Sequence, residues 1–183
     1  MKLEIVTRHL IGRPNMLAAN MDSVEMMIYH AGTEVKHTLL IDDVGRGVAW
    51  ANGQLADLDP VGDYVWLLDD DDRAICPHVA ECIRDEAALE ADAVFLRMNH
   101  KAPLGILPSV SDWGKAPQEG RIGGSSVIVS RALWLECRDA WRPGRYESDA
   151  DFVKAVYEAA ERISWHDCVA SECQRPQSQG APE

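Results

Sequence analysis

Short apolar runs alternate with amphipathic stretches along most of the chain. "LEIVT" (3–7), "HTLLI" (37–41), "DYVWLL" (63–68), "ADAVFLRM" (91–98) and "ISWHDCVA" (163–170) are brief and rich in apolar and β-branched residues, which predicts buried strands. Between the first two, "RPNMLAANMDSVEMMIYH" sets Met16, Leu17, Asn20, Val24 and Met27 at roughly helical spacing behind Pro14, a residue suited to a first helical turn. "VGRGVAWANGQLADL" predicts a glycine-rich turn and a helix, and "PHVAECIRDEAALE" (77–90) a helix opened by proline. "RIGGSSVIVSRALWLECRDAW" predicts a strand and then a helix, and "SDADFVKAVYEAAER" (148–162) an amphipathic helix.

Strands alternating with helices over the first hundred residues predict an α/β fold: a mostly parallel sheet with helices on both faces. A chain of 183 residues suits one domain, expected over 1–170. The tail 171–183 has Gln, Pro, Ser and Gly but few apolar residues, and is expected to be disordered or loosely attached. The stretch 101–120, rich in Pro, Gly and Ser, reads as a long loop of the kind that carries function or moves.

Charge narrows the choice of partner. A net charge of −12 argues against broad attraction to nucleic acid or anionic lipid. Arg131, Arg138, Arg142 and Arg145 form the one dense basic patch, which reads as a solvated helix end. No apolar run approaches the ~20 residues of a membrane span. Glu4, Arg8 and Arg13 interrupt any signal-peptide core, so a cytoplasmic location is the expectation. The cysteines, Cys76, Cys82, Cys137, Cys168 and Cys173, are odd in number and none are spaced as CxxC, which favours reduced structural thiols.

The strand 63–68 runs straight into four carboxylates, Asp69, Asp70, Asp71 and Asp72. Ligands of open α/β sheets bind beyond the carboxyl ends of the strands. That rule sets the acid run, Asp42-Asp43, Thr7 and Arg8 along one sheet edge. Alternate carboxylates such as Asp69 and Asp71 can share one hard divalent cation, Mg²⁺ or Mn²⁺, which also bridges to phosphate oxygens. The competing reading is a solvated acidic turn before the helix at Pro77.

These segments resemble a small GT-A-fold nucleotide-sugar glycosyltransferase. "IVTRHLIGRPNMLAANMDSV" is similar to that family's opening strand, turn and first helix, and "LLIDDVGRGVAWAN" to its second strand and acidic nucleoside-binding turn. "YVWLLDDDDRAICPH" resembles its aspartate-x-aspartate metal motif, and "ESDADFVKAVYE" the acidic segment that opens a late helix. The resemblance implies a Rossmann-like sheet, a Mg²⁺ or Mn²⁺ cofactor and a UDP-sugar donor. It places Asp69 and Asp71 on the metal, with Asp71 the direct ligand, and Asp70 and Asp72 shaping the site or touching sugar and ribose. Asp42 or Asp43 would accept the uracil N3–H, while Thr7 and Arg8 would line the nucleoside pocket, Arg8 also facing the diphosphate. Asp149 would be the base, with Glu147 and Asp151 as neighbours, because Ser148-Asp149 stands where the family has Glu-Asp; a helix N-terminal acid is the alternative role. His166 would join the metal or diphosphate, unless it simply packs on its strand. Gly123-Gly124 would lie by the acceptor or form a bulge, and Trp113 would stack on a sugar or base or else pack.

The implied reaction is transfer of a sugar to an acceptor hydroxyl with inversion. The acceptor is left open among a saccharide, a lipid-linked glycan, a protein side chain and a hydroxymethylated DNA base, as in compact viral-type transferases. Two other classes compete. A nucleotidyltransferase wants a better phosphate loop than "TRHLIGRP", and a non-catalytic nucleotide- or metal-binding module would need no base.

Overall fold

A computed structural model describes residues 1–174 of the chain. In chain order the elements are β1 (Lys2–Leu10), α1 (Pro14–His30), β2 (Glu34–Asp42), α2 (Val48–Asp57), β3 (Tyr64–Leu67), β4 (Asp72–Ala74) and α3 (Val79–Ala88). They continue with β5 (Ala93–Asn99), β6 (Ile106–Leu107), β7 (Val127–Ser130), α4 (Arg131–Cys137), α5 (Ser148–Ala159) and β8 (Ile163–Cys173).

β1 lies between β2 and β3, parallel to both, with Val6 opposite Thr38 on one side and Leu67 on the other. α1 and α2 supply the crossovers that parallel neighbours require. Beyond β3 the expected parallel pattern breaks. β7 runs antiparallel to both β3 and β5, and β8 is parallel to β5, so the sheet is mixed, in the order β2-β1-β3-β7-β5-β8-β4 with β6 on β5. The cause is the long connection after β5, which returns to the same sheet edge without an α-helix, with only a short 3-10 turn at Gly124–Ser126, and so enters β7 in reverse. β4 follows β3 closely in sequence yet closes the opposite end of the strand order. The sheet therefore curls until β4 meets α1, where the Ala74 N–H donates to Ser23 Oγ at 3.1 Å.

Strand pleating sorts the core into two layers. Val65, Leu67, Ala93 and Phe95 face the layer that holds Leu55, Trp134, Trp141 and Phe152. Tyr64, Trp66, Val94 and Leu96 face the layer that holds Val24, Met27 and Ile83. Helices thus cover both faces, as expected.

β8 runs three residues past the expected domain end at 170, because Ser171 and Cys173 pair with Ala74 and Asp72. Gln174 is tied down as well, its side-chain amide donating to Met16 O and Asp70 O at 2.8 Å each. The rest of the expected tail lies outside the described residues.

Glu4 is 1% exposed and anchors the edge opposite the acid run. It accepts hydrogen bonds from Thr38 Oγ1 at 2.6 Å, Val61 N at 2.5 Å and Gly62 N at 2.9 Å, and pairs with Lys36 Nζ at 3.0 Å. A Cβ on Gly62 would stand 2.7 Å from both Glu4 Cβ and Glu4 N, closer than backbone tolerates. Gly62→Ala should therefore cost about 1–3 kcal/mol of stability by overpacking. Urea denaturation measures it, and an unchanged midpoint would contradict the packing described.

Candidate active site

The carboxyl ends of β1, β2, β3, β5 and β8 and the starts of β4 and β7 share one sheet edge. The acid run turns there between β3 and β4. Its backbone is held carbonyl by carbonyl. Thr7 Oγ1 donates to Leu68 O at 2.7 Å, and Asn20 Nδ2 lies 3.0 Å from Asp69 O and 3.1 Å from Asp72 O. Gln174 Nε2 takes Asp70 O at 2.8 Å, and the Gln174 backbone N–H takes Asp71 O at 2.7 Å. Thr7 and Asn20 are fully buried, so Thr7 supports the turn where the sequence expected it to line a nucleoside pocket.

This rigid turn alternates its side chains. Asp69 and Asp71 keep solvent access, at 26% and 31%, while Asp70 is 2% exposed. Asp72 is buried too, at 5%. Asp70 pairs with His9 Nδ1 at 2.7 Å, Leu10 N at 3.1 Å and Arg13 Nη1 at 3.4 Å. Asp72 accepts the Ser125 hydroxyl at 2.6 Å. Burial, then the charges of Asp71 and Asp69, push its carboxyl well above the usual carboxylate range.

Arg8 grips Asp69 bidentately, Nε to Oδ1 at 2.7 Å and Nη2 to Oδ2 at 2.5 Å, and also bonds Asn52 Oδ1. Burial opposes the guanidinium charge, but Asp69 and, more weakly, Asp149 and Asp71 hold its pKa above the usual value. Asp149, in the first turn of α5, thus faces the same cation. Its own pKa is raised, chiefly by burial and also by Asp69, against the lowering effect of the Ala150 N–H and Arg8. Gly123 and Gly124 let backbone approach this carboxylate: a Cβ on Gly123 would stand 3.6 Å from Asp149 Oδ2. Tyr146, 73% exposed, stands near the charges of Asp149 and Asp71.

The two acids after β2 part ways. Asp42 is 1% exposed and accepts from Gly47 N at 2.7 Å and Val44 N at 3.4 Å. Burial works against its charge, but those N–H groups and Arg46 bring its pKa to about 2. Its oxygens serve its own turn. Asp43 is 73% exposed and pairs with Arg46 Nη2 at 3.2 Å, while Arg46 stacks on Trp50 at 3.9 Å. Asp43 is thus the accessible acid of the pair.

His166 does not join the aspartates, and its expected metal role is corrected. It lies in β8 next to Trp165, which pairs with Phe95, four residues of β5 before Asn99, so roughly 13 Å back from the sheet edge at strand rise. Its Nδ1 stands 3.6 Å from Glu86 Oε1 instead. Trp113 packs edge-on to Trp165, with the Arg97 guanidinium 4.3 Å from its ring centre. Arg142 and Arg145 pair with surface aspartates, which fits a solvated helix end. Sequence reasoning missed Asn20, Ser125, Gln174 and Tyr146 as parts of the site. Arg13, 3.6 Å from Asp71 Oδ2, was signalled only by its place in the turn after β1.

No protein-family model matches the sequence, and no curated protein matches it. Solved structures do match. S. aureus TarS 1–349 in complex with UDP-GlcNAc superposes with a TM-score of 0.63 at 17% identity, over 98% of this chain and 60% of that one. The same protein in complex with UDP gives 0.63 at 18%, over 94% and 60%. A glycosyltransferase involved in glycosylation of the major capsid of PBCV-1 gives 0.55 at 15%, over 97% of this chain and 95% of that one. The fold is that of these glycosyltransferases. This chain spans 60% of the length of TarS 1–349, and is close in length to the PBCV-1 enzyme.

Asp72 yields a test of the site's electrostatics. A carboxyl whose pKa is raised on folding adds stability below its unfolded value near 3.8 and loses it as pH rises through the folded value. Asp72→Asn keeps an acceptor for Ser125 and removes the charge. In chelator, thermal unfolding should show the variant gaining on the native protein as the pH rises from the unfolded value near 3.8 towards neutrality. A gap that stays constant across that range contradicts the assignment.

Proposed function

We propose that the chain transfers a sugar from a UDP-sugar donor to an acceptor hydroxyl, with a divalent metal ion, and with inversion. The observation that carries the reading is the convergence of the accessible pair Asp69 and Asp71 with Arg8, Arg13 and Asp149 at the ligand-binding edge of the sheet. The fold supports it, as does the presence of UDP-GlcNAc and UDP in the TarS complexes.

The donor set suits a hard cation, since the accessible groups are carboxylate oxygens. Among the described residues no three His, Cys, Asp or Glu side chains form a ready-made cage. Asp71, with Asp69 beside it, would hold Mg²⁺ or Mn²⁺ jointly with oxygens of the donor's diphosphate. Such an ion supplies Lewis-acid stabilisation of the departing diphosphate.

The chain's own groups account for the remainder. Arg8 and Arg13 place positive charge beside the diphosphate. Asp43, with the Arg46–Trp50 stack, borders the base of the nucleotide. Asp149 takes the proton of the attacking acceptor hydroxyl, and its raised pKa makes it a stronger base than an ordinary carboxylate. A single base facing the donor sugar implies inversion. A module that only binds nucleotide would have no use for a half-buried carboxylate of raised pKa at this spot.

Two variants separate binding from chemistry. Asp71→Ala should abolish transfer and donor hydrolysis and remove the Mn²⁺-dependent thermal stabilisation by UDP. Asp149→Asn should keep that stabilisation while kcat falls about 10²–10⁴-fold. Full activity in excess chelator removes the metal mechanism, and full activity of Asp149→Asn removes the base. The native kcat/KM should also fall on the acid side with a midpoint above 3.8, the ordinary carboxylate value.

A further inference from the structure

Asn52 is a buried polar residue of α2, set among the buried Ala51, Leu55 and Ala56. An apolar side chain would pack there without the cost of taking an amide out of water, and leucine is the better helix former. Both ends of the amide are put to use instead. Its Oδ1 accepts from Arg8 Nη1, and its Nδ2 donates to Arg145 O at 3.0 Å. These two partners belong to different parts of the site. Arg8 grips Asp69 of the acid turn, while Arg145 lies three residues before Ser148, where α5 begins.

The Arg145 carbonyl is a junction. It also accepts the Ser148 backbone N–H at 3.2 Å, and so holds the residue directly before Asp149. One turn earlier on α2, Ala49 closes on Gly144. A Cβ on Gly144 would stand 3.1 Å from Ala49 Cβ and 3.2 Å from Ala49 Cα. Residues 49 and 52 share a helix face at i, i+3 spacing, so α2 meets residues 144 and 145 through both. Arg8 reaches α5 through rings as well. Its guanidinium lies 5.3 Å from the centre of the Trp141 ring, and Trp141 stacks on Phe152 of α5 at 5.0 Å. A row of hydrogen bonds thus runs from Asp69 through Arg8, Asn52 and Arg145 O to the start of the helix that carries Asp149.

We propose that Asn52 is a positioning residue, which sets the separation of the metal-bearing turn and the base by tying Arg8 to the start of α5. The inference rests on the transferase reading and deepens it. A displacement of ~1 Å at a reacting centre can cost about 10²-fold in rate.

The test uses the full chain with UDP-GlcNAc and Mn²⁺, with water as the acceptor. Asn52→Asp keeps an acceptor for Arg8 but loses the donor to Arg145 O. Its kcat for hydrolysis should fall at least about tenfold, while donor KM and thermal stabilisation by UDP and Mn²⁺ are unmoved. Asn52→Leu fills the volume and serves neither end, so donor KM should rise as kcat falls. With Asp149→Asn already in place, Asn52→Asp should lower kcat by less than about twofold more, because groups acting as a unit are not additive. Amide hydrogen exchange reads the same tie without any chemistry. In both variants the Ser148 amide should lose protection, while those of Asp70 and Asp72, which donate to Arg8 O and Asp69 O, keep theirs. Native kcat in Asn52→Leu, an undiminished loss in the Asp149→Asn background, or native protection at Ser148 in both variants overturns the role of Asn52. A native chain that neither binds UDP nor hydrolyses the donor overturns the transferase reading itself, and exchange at Ser148 then still decides whether Asn52 holds α5.

Discussion

Repulsion among carboxylates is the constraint on which the site depends. Two like charges ~4 Å apart repel by about 4 kcal/mol even at an effective dielectric of 20, and this chain places four aspartates in succession with a fifth, Asp149, nearby. The fold resolves the conflict by alternation. Asp70 turns inward to His9, Arg13 and a backbone N–H, and Asp72 turns inward to a serine hydroxyl, its pKa pushed up by burial and by the charges of Asp71 and Asp69. Asp69 and Asp71 turn outward, and Arg8 answers the first of them. What reaches solvent is a spaced pair of carboxylates bordered by two arginines.

Alternation of this kind needs a backbone that cannot drift. The curl of the sheet supplies it by bringing the end of β8 and the flank of α1 against the turn. Asn20, Thr7 and Gln174 then take its carbonyls in sequence from Leu68 to Asp72. The same curl sets Cys173 beside Asp72 and His100 beside Cys173, so the charged turn and the end of β5 share one buried polar network. Geometry fixed before a substrate arrives is what lets charges act on a transition state without reorganisation.

Much of this was legible in the sequence, because β1, β2, β3 and α1 carry clean periods and the acid run follows an apolar strand. Strand direction was not. Periodicity is the same for parallel and antiparallel strands, and the reversal at β7 is decided by a connection without an α-helix. β4 is three residues long and begins with an aspartate, so it carries no apolar signal, and the polar "SEC" disguised the end of β8. That hidden length misplaced His166, which would stand at the edge only if the strand stopped near it. Asp42 looked like a ligand-binding acid because a carboxylate that serves its own turn has the same local sequence as one that faces a ligand. Asp149 was legible through its place at the start of α5, whereas Asn20 and Gln174 act through contacts far apart in the chain.

The central claim is that Asp69 and Asp71 present a divalent ion to the diphosphate of a nucleotide. A crystal of the chain grown with UDP and Mn²⁺ tests it most directly through the anomalous signal of manganese. A peak beside Asp71, shared with diphosphate oxygens and with the uridine towards Asp43, is the predicted result. A diphosphate bound away from the turn, or a turn without manganese while UDP is in place, would contradict the account.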